Sequence, residues 1–519
     1  FAGIMMILLS TLTNLSNISR LFQVLLPFSF DFLDQTLNLL MGFLLLGFAR
    51  GISQKVKRAF WPTILLLIFG IVNTVARTAS IRLIVVYLVI LLIVWMSRKE
   101  FYRQRFVYSW GALLFDGVLF GLLFIFYAVA GYHSGQIWST ERLSTKYFAF
   151  PSEEIWFSGL LGLILSILCL AILYQYLTQS EEKIGTTWDE KRFNYLINRY
   201  GGTAASHYLR VTGYRYFYYQ ENGNDQIVFG FQTKANKCFV LGDPVGNPKK
   251  WQAATLAFME YADQHGYQLA FYKISEEYVL LLHDLGFHFD KIGETGVTDF
   301  TQHKLEVFSD RFEFKRLTNE GYQFIYFEKL PDEVFDELEE ISDEWLNGEK
   351  EKCFSVGRFD RGYIETSNVG IARDPQNRIV GFITEQPINQ ENASFDLLRF
   401  RSDVPNELPT FLKLHLMDEL KKQGYHEIYQ GMAPLAKVGE TSFAFFGERI
   451  MNLIYKYGHS IYAFQQVAEE KTIYVDQWRP RYFAYMKDSS FLFSALQLLL
   501  LIGRGKNKGA TISEEMIEL

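Results

Sequence analysis

The chain has 519 residues, 49% of them hydrophobic and 17% aromatic, with a formal net charge of −6 at pH 7. That length exceeds one domain and points to two or three. Cys169, Cys238 and Cys353 form no CxxC pair, which excludes a disulfide framework and fits a reducing compartment.

The composition divides the chain. Residues 1–178 hold 13 Lys+Arg against 7 Asp+Glu and several long apolar runs, whereas residues 179–519 hold 38 against 50, a net charge of −12. A membrane region is therefore expected over 1–178, followed by an acidic, aromatic-rich soluble part. Phe1 opens directly into an apolar run with no basic n-region or cleavage site, so it is not a signal peptide, and further sequence upstream is expected.

Membrane helices are predicted at about 1–13, 33–49, 60–76, 81–97, 110–131 and 155–177, since a span needs roughly 20 apolar residues. Arg50, Lys55, Lys57 and Arg58 crowd one connection, and Arg98, Lys99, Arg103 and Arg105 another. The positive-inside bias puts both in the cytoplasm, and counting on places everything after Tyr176 there too. Asp116 lies within an apolar helix near its cytoplasmic end, where snorkelling to the interface is the expected account.

After Trp188 the pattern becomes α/β. Tyr214–Tyr219 and Ile227–Phe231 read as a hairpin, followed by a strand at Lys237–Leu241 and a helix over about 248–265. A strand at Gln268–Lys273, a helix at Glu276–Leu285 and a strand near Thr298 complete one unit over 188–305. A second unit over 306–488 opens with an acidic helix at Asp332–Leu346 and a hairpin of Ile371–Arg373 with Ile379–Thr384. Then come a strand at Asn392–Arg401, a helix at Leu408–Gln423, a strand at Glu427–Tyr429 and a helix near Glu448–Tyr457. Two units of like order suggest duplication of one α/β fold. The apolar run 491–502 within the terminal segment 489–519 is too short to span a bilayer and reads as lying on its surface.

The strand at Asn392–Arg401 holds the chemically unusual feature. Asp396, Arg399 and Arg401 sit in an apolar run, where ionised groups are costly unless paired or used on a ligand. In a regular strand Asp396 and Arg399 point to opposite faces; a bulge or strand end would let both serve one pocket. A solvated edge strand is the alternative. The sequence offers no Gly-x-Ser-x-Gly elbow, phosphate-binding loop or metal-ligand spacing, and no histidine is followed by Asp five positions on. No metal or cofactor is implied. Group transfer by orientation and charge remains.

A set of motifs in order resembles the phosphatidylglycerol lysyltransferases, also called multiple peptide resistance factors. They are Gly201–Ser206, Leu241–Gly246, Ser342–Leu346, Phe354–Phe359, Ser394–Arg399, Gly431–Leu435 and Trp478–Tyr482. The resemblance implies tandem acetyltransferase-like (GNAT) folds behind a polytopic helical membrane region of a bacterial cell membrane. It implies transfer of an aminoacyl group, lysyl or alanyl, from aminoacyl-tRNA to phosphatidylglycerol at the inner face. The cationic product would confer resistance to cationic antimicrobial peptides; association of the chain with copies of itself stays open. By motif, Asp396 and Arg399 would bind the aminoacyl group, with Glu344, Arg358, Met432, Lys437, Glu448 and Arg449 as further substrate contacts. Gly431–Pro434 would be a strand-end turn opening the pocket, and Lys304, Arg311, Lys315 and Arg316 a stripe for tRNA. No general base stands out. The chain departs from the family pattern at Phe464-Gln-Gln466, where a functional lysine is expected, at Ile473–Gln477, and in the acid-interrupted stretch Glu306–Arg316. A catalytically impaired relative that binds or flips lipid, or serves as a scaffold, is the alternative these departures motivate.

Overall fold

The computed structural model describes residues 35–77, 81–133, 153–179, 183–301, 311–352, 354–458 and 463–503. The chain divides into two compact units, Phe1–Ile184 with Tyr261–Tyr267, and Gly185–Glu260 with Gln268–Leu519.

The first unit is helical: Gln35–Ser53, Phe60–Arg77, Ile81–Met96, Trp110–His133 and Glu153–Thr178. These match five of the six expected helices; the sixth, 1–13, lies outside the described residues. Among the described residues one stretch, Leu160–Thr178, is long and apolar enough to cross a membrane, and Leu40–Ser53 and Trp110–Ile125 are shorter apolar helices. The two basic connections meet: Lys57 N donates to the Arg103 carbonyl at 2.8 Å, and Arg103 N to the Lys55 carbonyl at 3.2 Å. Phe106 N donates to the Leu177 carbonyl at 2.8 Å, so the last helix ends beside them.

Asp116 does not snorkel. It is buried, takes Arg50 Nη2 at 2.5 Å and Nε at 3.1 and 3.2 Å, and accepts from the Tyr108 hydroxyl at 3.1 Å. A carboxylate in apolar surroundings is tolerated when a guanidinium forks onto it, and Arg50 reaches it from the neighbouring helix.

The second unit is built on one sheet of twelve strands: β1 (Arg215–Glu221), β2 (Asn224–Lys234), β3 (Lys237–Leu241), β4 (Val245–Gly246), β5 (Gln268–Ile274), β6 (Phe287–Asp299), β7 (Gln323–Phe327), β8 (Asn368–Arg373), β9 (Ile379–Pro387), β10 (Asn392–Phe400), β11 (Glu427–Pro434) and β12 (Gln477–Met486). Their order is β1-β2-β3-β5-β12-β6-β11-β10-β9-β8-β7, with β4 on β2. Each half is an antiparallel meander that ends in one parallel pair, β3 with β5 and β10 with β11, joined by a crossover helix. This is the acetyltransferase-like arrangement the sequence suggested, repeated once.

The halves are not separate at residue 305. β12, from the end of the chain, inserts between β5 and β6, while β6 pairs with β11 of the other half. The two long helices of the second half, Asp332–Leu346 between β7 and β8 and the crossover helix Leu408–Lys422, cover opposite faces, since their buried residues belong to different apolar clusters. Residues 491–502 do form a helix. Leu498 and Leu501 of that helix pack into the first half's core, and only the opposite row, with Leu492, Leu496, Leu499 and Leu500, is exposed.

One buried acid makes the fold pH-sensitive. Glu385 on β9 is fully buried, takes the Tyr326 hydroxyl at 3.1 Å and the Asn368 amide at 2.5 Å, and leaves Oε1 unpartnered. Burial pushes its carboxyl up to about 7. A carboxyl raised in the fold stays protonated there while the unfolded chain ionises, so stability falls as pH rises from the ordinary carboxylate value towards 7. Glu385→Gln is expected to raise the unfolding free energy at pH 8 by up to about 3 kcal/mol, and the thermal midpoint with it, and to change both little near about pH 4. Calorimetry of the full chain at both values checks this; no gain at the higher pH would overturn it.

Candidate active site

The site begins where two strands part. β10 and β11 pair over only three residues, Asn392–Ser394 with Glu427–Tyr429, and then diverge. β11 continues past that point with a register shift between Tyr429 and Met432, where Gly431 takes a φ of 76° open to few side chains. The Gly431–Pro434 motif is thus a bulge within a continuing strand and not a strand-end turn. A cleft opens beyond the divergence. Ser394, Tyr429, Gly431 and Met432 line it from the second half, Tyr208, Asp243 and Lys273 from the first, and Arg481 from β12.

Of the two ways named for both residues to share a side, a bulge or a strand end, β10 has the bulge, at Asp396 and Leu397 and so between the two residues in question. The β10–β9 register shifts between Phe395 and Leu398, so Asp396 and Arg399 both turn to the side covered by residues 351–363. Asp396 accepts from the Tyr363 hydroxyl at 2.6 Å and from Gly357 N at 3.3 Å. A Cβ on Gly357 would lie 1.5 Å from Asp396 Oδ2, so only glycine lets the backbone N–H come this close. Burial holds the Asp396 carboxyl above its ordinary range, with the Tyr363 hydrogen bond opposing.

Arg399 is committed elsewhere. Its two Nη atoms fork onto Glu351 at 2.8 and 2.9 Å, Nη1 also donates to Ser342 Oγ at 2.6 Å, and the guanidinium lies 5.2 Å from the Trp345 ring centre. Glu351 in turn accepts from Phe359 N at 3.1 Å. Neither Asp396 nor Arg399 lines the cleft. Asp396 stands one layer behind, close enough for its charge to act on Lys273 and Tyr208. Arg399 fixes the segment that holds Asp396.

The charges that line or border the cleft are largely ones the sequence did not single out. Lys273 Nζ donates to the Ser355 carbonyl at 2.8 Å, and burial lowers its ammonium to about 8. Lys471, on the helix Phe464–Thr472, donates to the Met432 carbonyl at 3.0 Å. Burial first, then the nearby charges of Lys413 and Lys273, bring it down to about 7. Asp243, whose carboxylate accepts from Ser275 N at 2.8 Å, is held above its ordinary range by burial, with Arg481 opposing. Arg481 Nε donates to Thr295 Oγ1 at 3.0 Å. The lysine expected at Gln465 is missing, yet Lys471 of the same helix reaches the cleft. Asp243 and Arg481 were within reach of a reading, since both sit in quoted motifs, Leu241–Gly246 and Trp478–Tyr482.

Of the remaining expected contacts only Met432 lines the cleft. Glu344 accepts from Ser402 N at 2.8 Å, Ser402 Oγ at 2.7 Å and Arg401 at 3.1 Å, bonds that tie off the end of β10. Arg358 is bound by Thr212 and by Asp360 at 3.2 Å, and Lys437 pairs with Glu294 at 3.0 Å. Glu448 accepts from Phe445 N at 3.2 Å, which caps the helix Phe446–Tyr457, and Arg449 is exposed on that helix. The basic stripe is incomplete among the described residues: Lys304 lies outside them, Arg311 stacks 5.7 Å from the Tyr474 ring centre, and Lys315 is exposed. Arg316 is taken by Glu320 at 3.1 Å and by Glu407.

The charged cleft thus lies between two acetyltransferase-like halves of one sheet. The family model "Phosphatidylglycerol lysyltransferase, C-terminal" matches residues 194–485. A Bacillus subtilis protein named phosphatidylglycerol lysyltransferase is 30% identical over 483 residues, 91% of this chain and 55% of its own length. A Staphylococcus xylosus protein of the same name is 29% identical, covering 87% of this chain and 53% of its own. The structure of L-PGS from Bacillus licheniformis superposes with a TM-score of 0.53 at 29% identity, over 62% of this chain and all of that one. The chain belongs to the phosphatidylglycerol lysyltransferase family. It spans about half the length of the curated relatives it matches.

The Arg399–Glu351 pair gives a direct test. Removing one partner of a buried pair leaves the other charge uncompensated, at about 3–5 kcal/mol. Arg399→Ala is therefore expected to lower the unfolding midpoint sharply, and Arg399→Ala/Glu351→Ala to recover part of it. Additive losses in the double variant, read by thermal unfolding, would contradict the coupling.

Proposed function

We propose that the chain transfers an aminoacyl group, lysyl in the first place, from aminoacyl-tRNA to a glycerol hydroxyl of phosphatidylglycerol. The observation that carries this reading is the cleft itself, lined by Lys273, Asp243 and Arg481, with Lys471 bound to the Met432 carbonyl at its edge and Asp396 one layer behind Lys273. In the reaction the lipid hydroxyl oxygen bonds to the aminoacyl carbonyl carbon, and the ester bond to the tRNA ribose breaks. Neutral Lys471 takes the hydroxyl proton and returns it to the departing ribose oxygen. Arg481 and protonated Lys273 stabilise the oxyanion between the two steps, and Asp243 with Asp396 favours a donor carrying ammonium charge, which suits lysyl over alanyl.

The reading places the reaction at the inner face of a bacterial cell membrane, with the helices of residues 1–178 crossing it several times and the rest of the chain cytoplasmic. In support, both basic connections and the end of the last helix are joined by hydrogen bonds at one end of the first unit. Resistance to cationic peptides is the expected consequence of the cationic lipid. The tRNA would engage basic residues beside the helix Phe312–Asn319, Arg311 and Lys315 among them.

The test is expression of the full-length gene, followed by lipid extraction and mass spectrometry of the polar lipids. Lysyl-phosphatidylglycerol is the expected product; its absence with the protein in the membrane would favour an impaired relative acting as scaffold or lipid flipper. Asp396→Asn is expected to lose product with the unfolding midpoint nearly kept, and Gly357→Ala, which displaces the Asp396 carboxylate, is expected to lose product too. Full activity in either variant would remove Asp396 from the site. The rate should rise between about pH 6 and 8 as Lys471 loses its proton, and Lys471→Arg should abolish that rise.

A further inference from the structure

The helix Phe446–Tyr457 is amphipathic with its apolar side outward. Phe446, Ile450, Leu453 and Tyr457 recur along one face and are 73, 41, 56 and 76% exposed. Phe443 and Phe445, just before it, are 97 and 81% exposed. The buried side is held through Met451 and Asn452, whose amide donates to the Val438 carbonyl at 2.8 Å. A helix of a soluble surface buries its apolar stripe, and a continuous exposed ridge marks a partner or a membrane.

Two further observations select the occupant. Arg449 and Lys456 flank the ridge, are exposed, and have no ion pair among the described residues, which complements an anionic surface. The ridge is also tied to the cleft. Asn452 holds Val438, a few residues beyond Met432, and the next described helix carries Lys471 onto the Met432 carbonyl. We propose that this ridge docks on an anionic phospholipid bilayer, with Phe443, Phe446 and Leu453 entering the headgroup boundary, and so presents the acceptor lipid to the cleft at Gly431 and Met432. The inference rests on the reading of a bilayer lipid as acceptor. It adds where that lipid is met, by a surface that neither Asp396 nor the basic stripe belongs to.

Two measurements on the full chain, reconstituted in vesicles of phosphatidylglycerol and phosphatidylcholine, decide it. A benzophenone amino acid at Leu453 or Phe446 should cross-link to lipid on illumination, and one at exposed Glu470 should not. Adducts to a second copy of the chain, or none, would overturn the proposal whatever the enzyme's activity. The variant Phe443→Ser/Phe446→Ser/Leu453→Ser should lose about tenfold or more of its transfer to phosphatidylglycerol in vesicles, and less than about twofold with a short-chain phosphatidylglycerol dispersed as monomers. Equal loss on both acceptors would overturn the docking role. If the unaltered chain transfers to neither acceptor, the proposed function fails while the cross-link still decides the docking.

Discussion

The buried pair of Arg399 and Glu351 is the constraint on which the site depends. Glu351 belongs to a segment with no strand or helix of its own, and such a segment needs side chains to fix its backbone. With Arg399 forked onto it, Glu351 receives Phe359 N, a bond that fixes Phe359 to the same ion pair. That loop then supplies the Ser355 carbonyl to Lys273, Gly357 N to Asp396, and Phe354 to the aromatic stack of Tyr214 and Tyr272. Phe354 and Ser355 both adopt positive φ, which non-glycine residues tolerate only where the surroundings demand it. One ion pair in the second half therefore sets the position of a lysine and an aromatic stack in the first.

The electrostatics of the cleft follow from burial more than from any single partner. Lys273, Lys413 and Lys471 are all lowered chiefly because their ammonium groups have left water. Asp243 and Asp396 are raised for the same reason. Lys413 faces the Phe395 and Tyr474 rings at 5.7 and 5.5 Å, which offer a cation a surface without fixing its proton. Lys273 and Lys471 are thereby brought towards the balance between charged and neutral at neutral pH.

Much of the fold was legible because local pattern and final structure agree. The helix Asp332–Leu346 and the strand Lys237–Leu241 have the bounds that periodicity and turn residues suggest. The bulge in β10 was legible from a conflict, two ionised residues of opposite parity in one apolar strand. What was not legible depends on distant parts of the chain. Trp478–Tyr482 reads as a motif, but nothing local says that it fills the gap between β5 and β6. Lys471 looks like one more charge on a polar helix, and only the fold turns it onto Met432. Glu344 misled for the opposite reason: it has the right charge beside the right strand, and Ser402 and Arg401 occupy it. Asp116 lay close to a helix end, and Arg50 on another helix decided its fate.

The place of β12 has a consequence for how the protein comes to exist. Tyr482 pairs with Ile274 and Trp478 with Gly296, so the first half's sheet stays divided until the last strand arrives. During synthesis β5 and β6 present unpaired edges for as long as it takes to translate the whole second half, and such edges invite wrong partners. The final closure joins segments far apart in sequence, which makes it a slow step. Arg481 enters the cleft only with that closure. The nascent chain thus carries no complete charge set in its cleft before the strand that seals the sheet is in place.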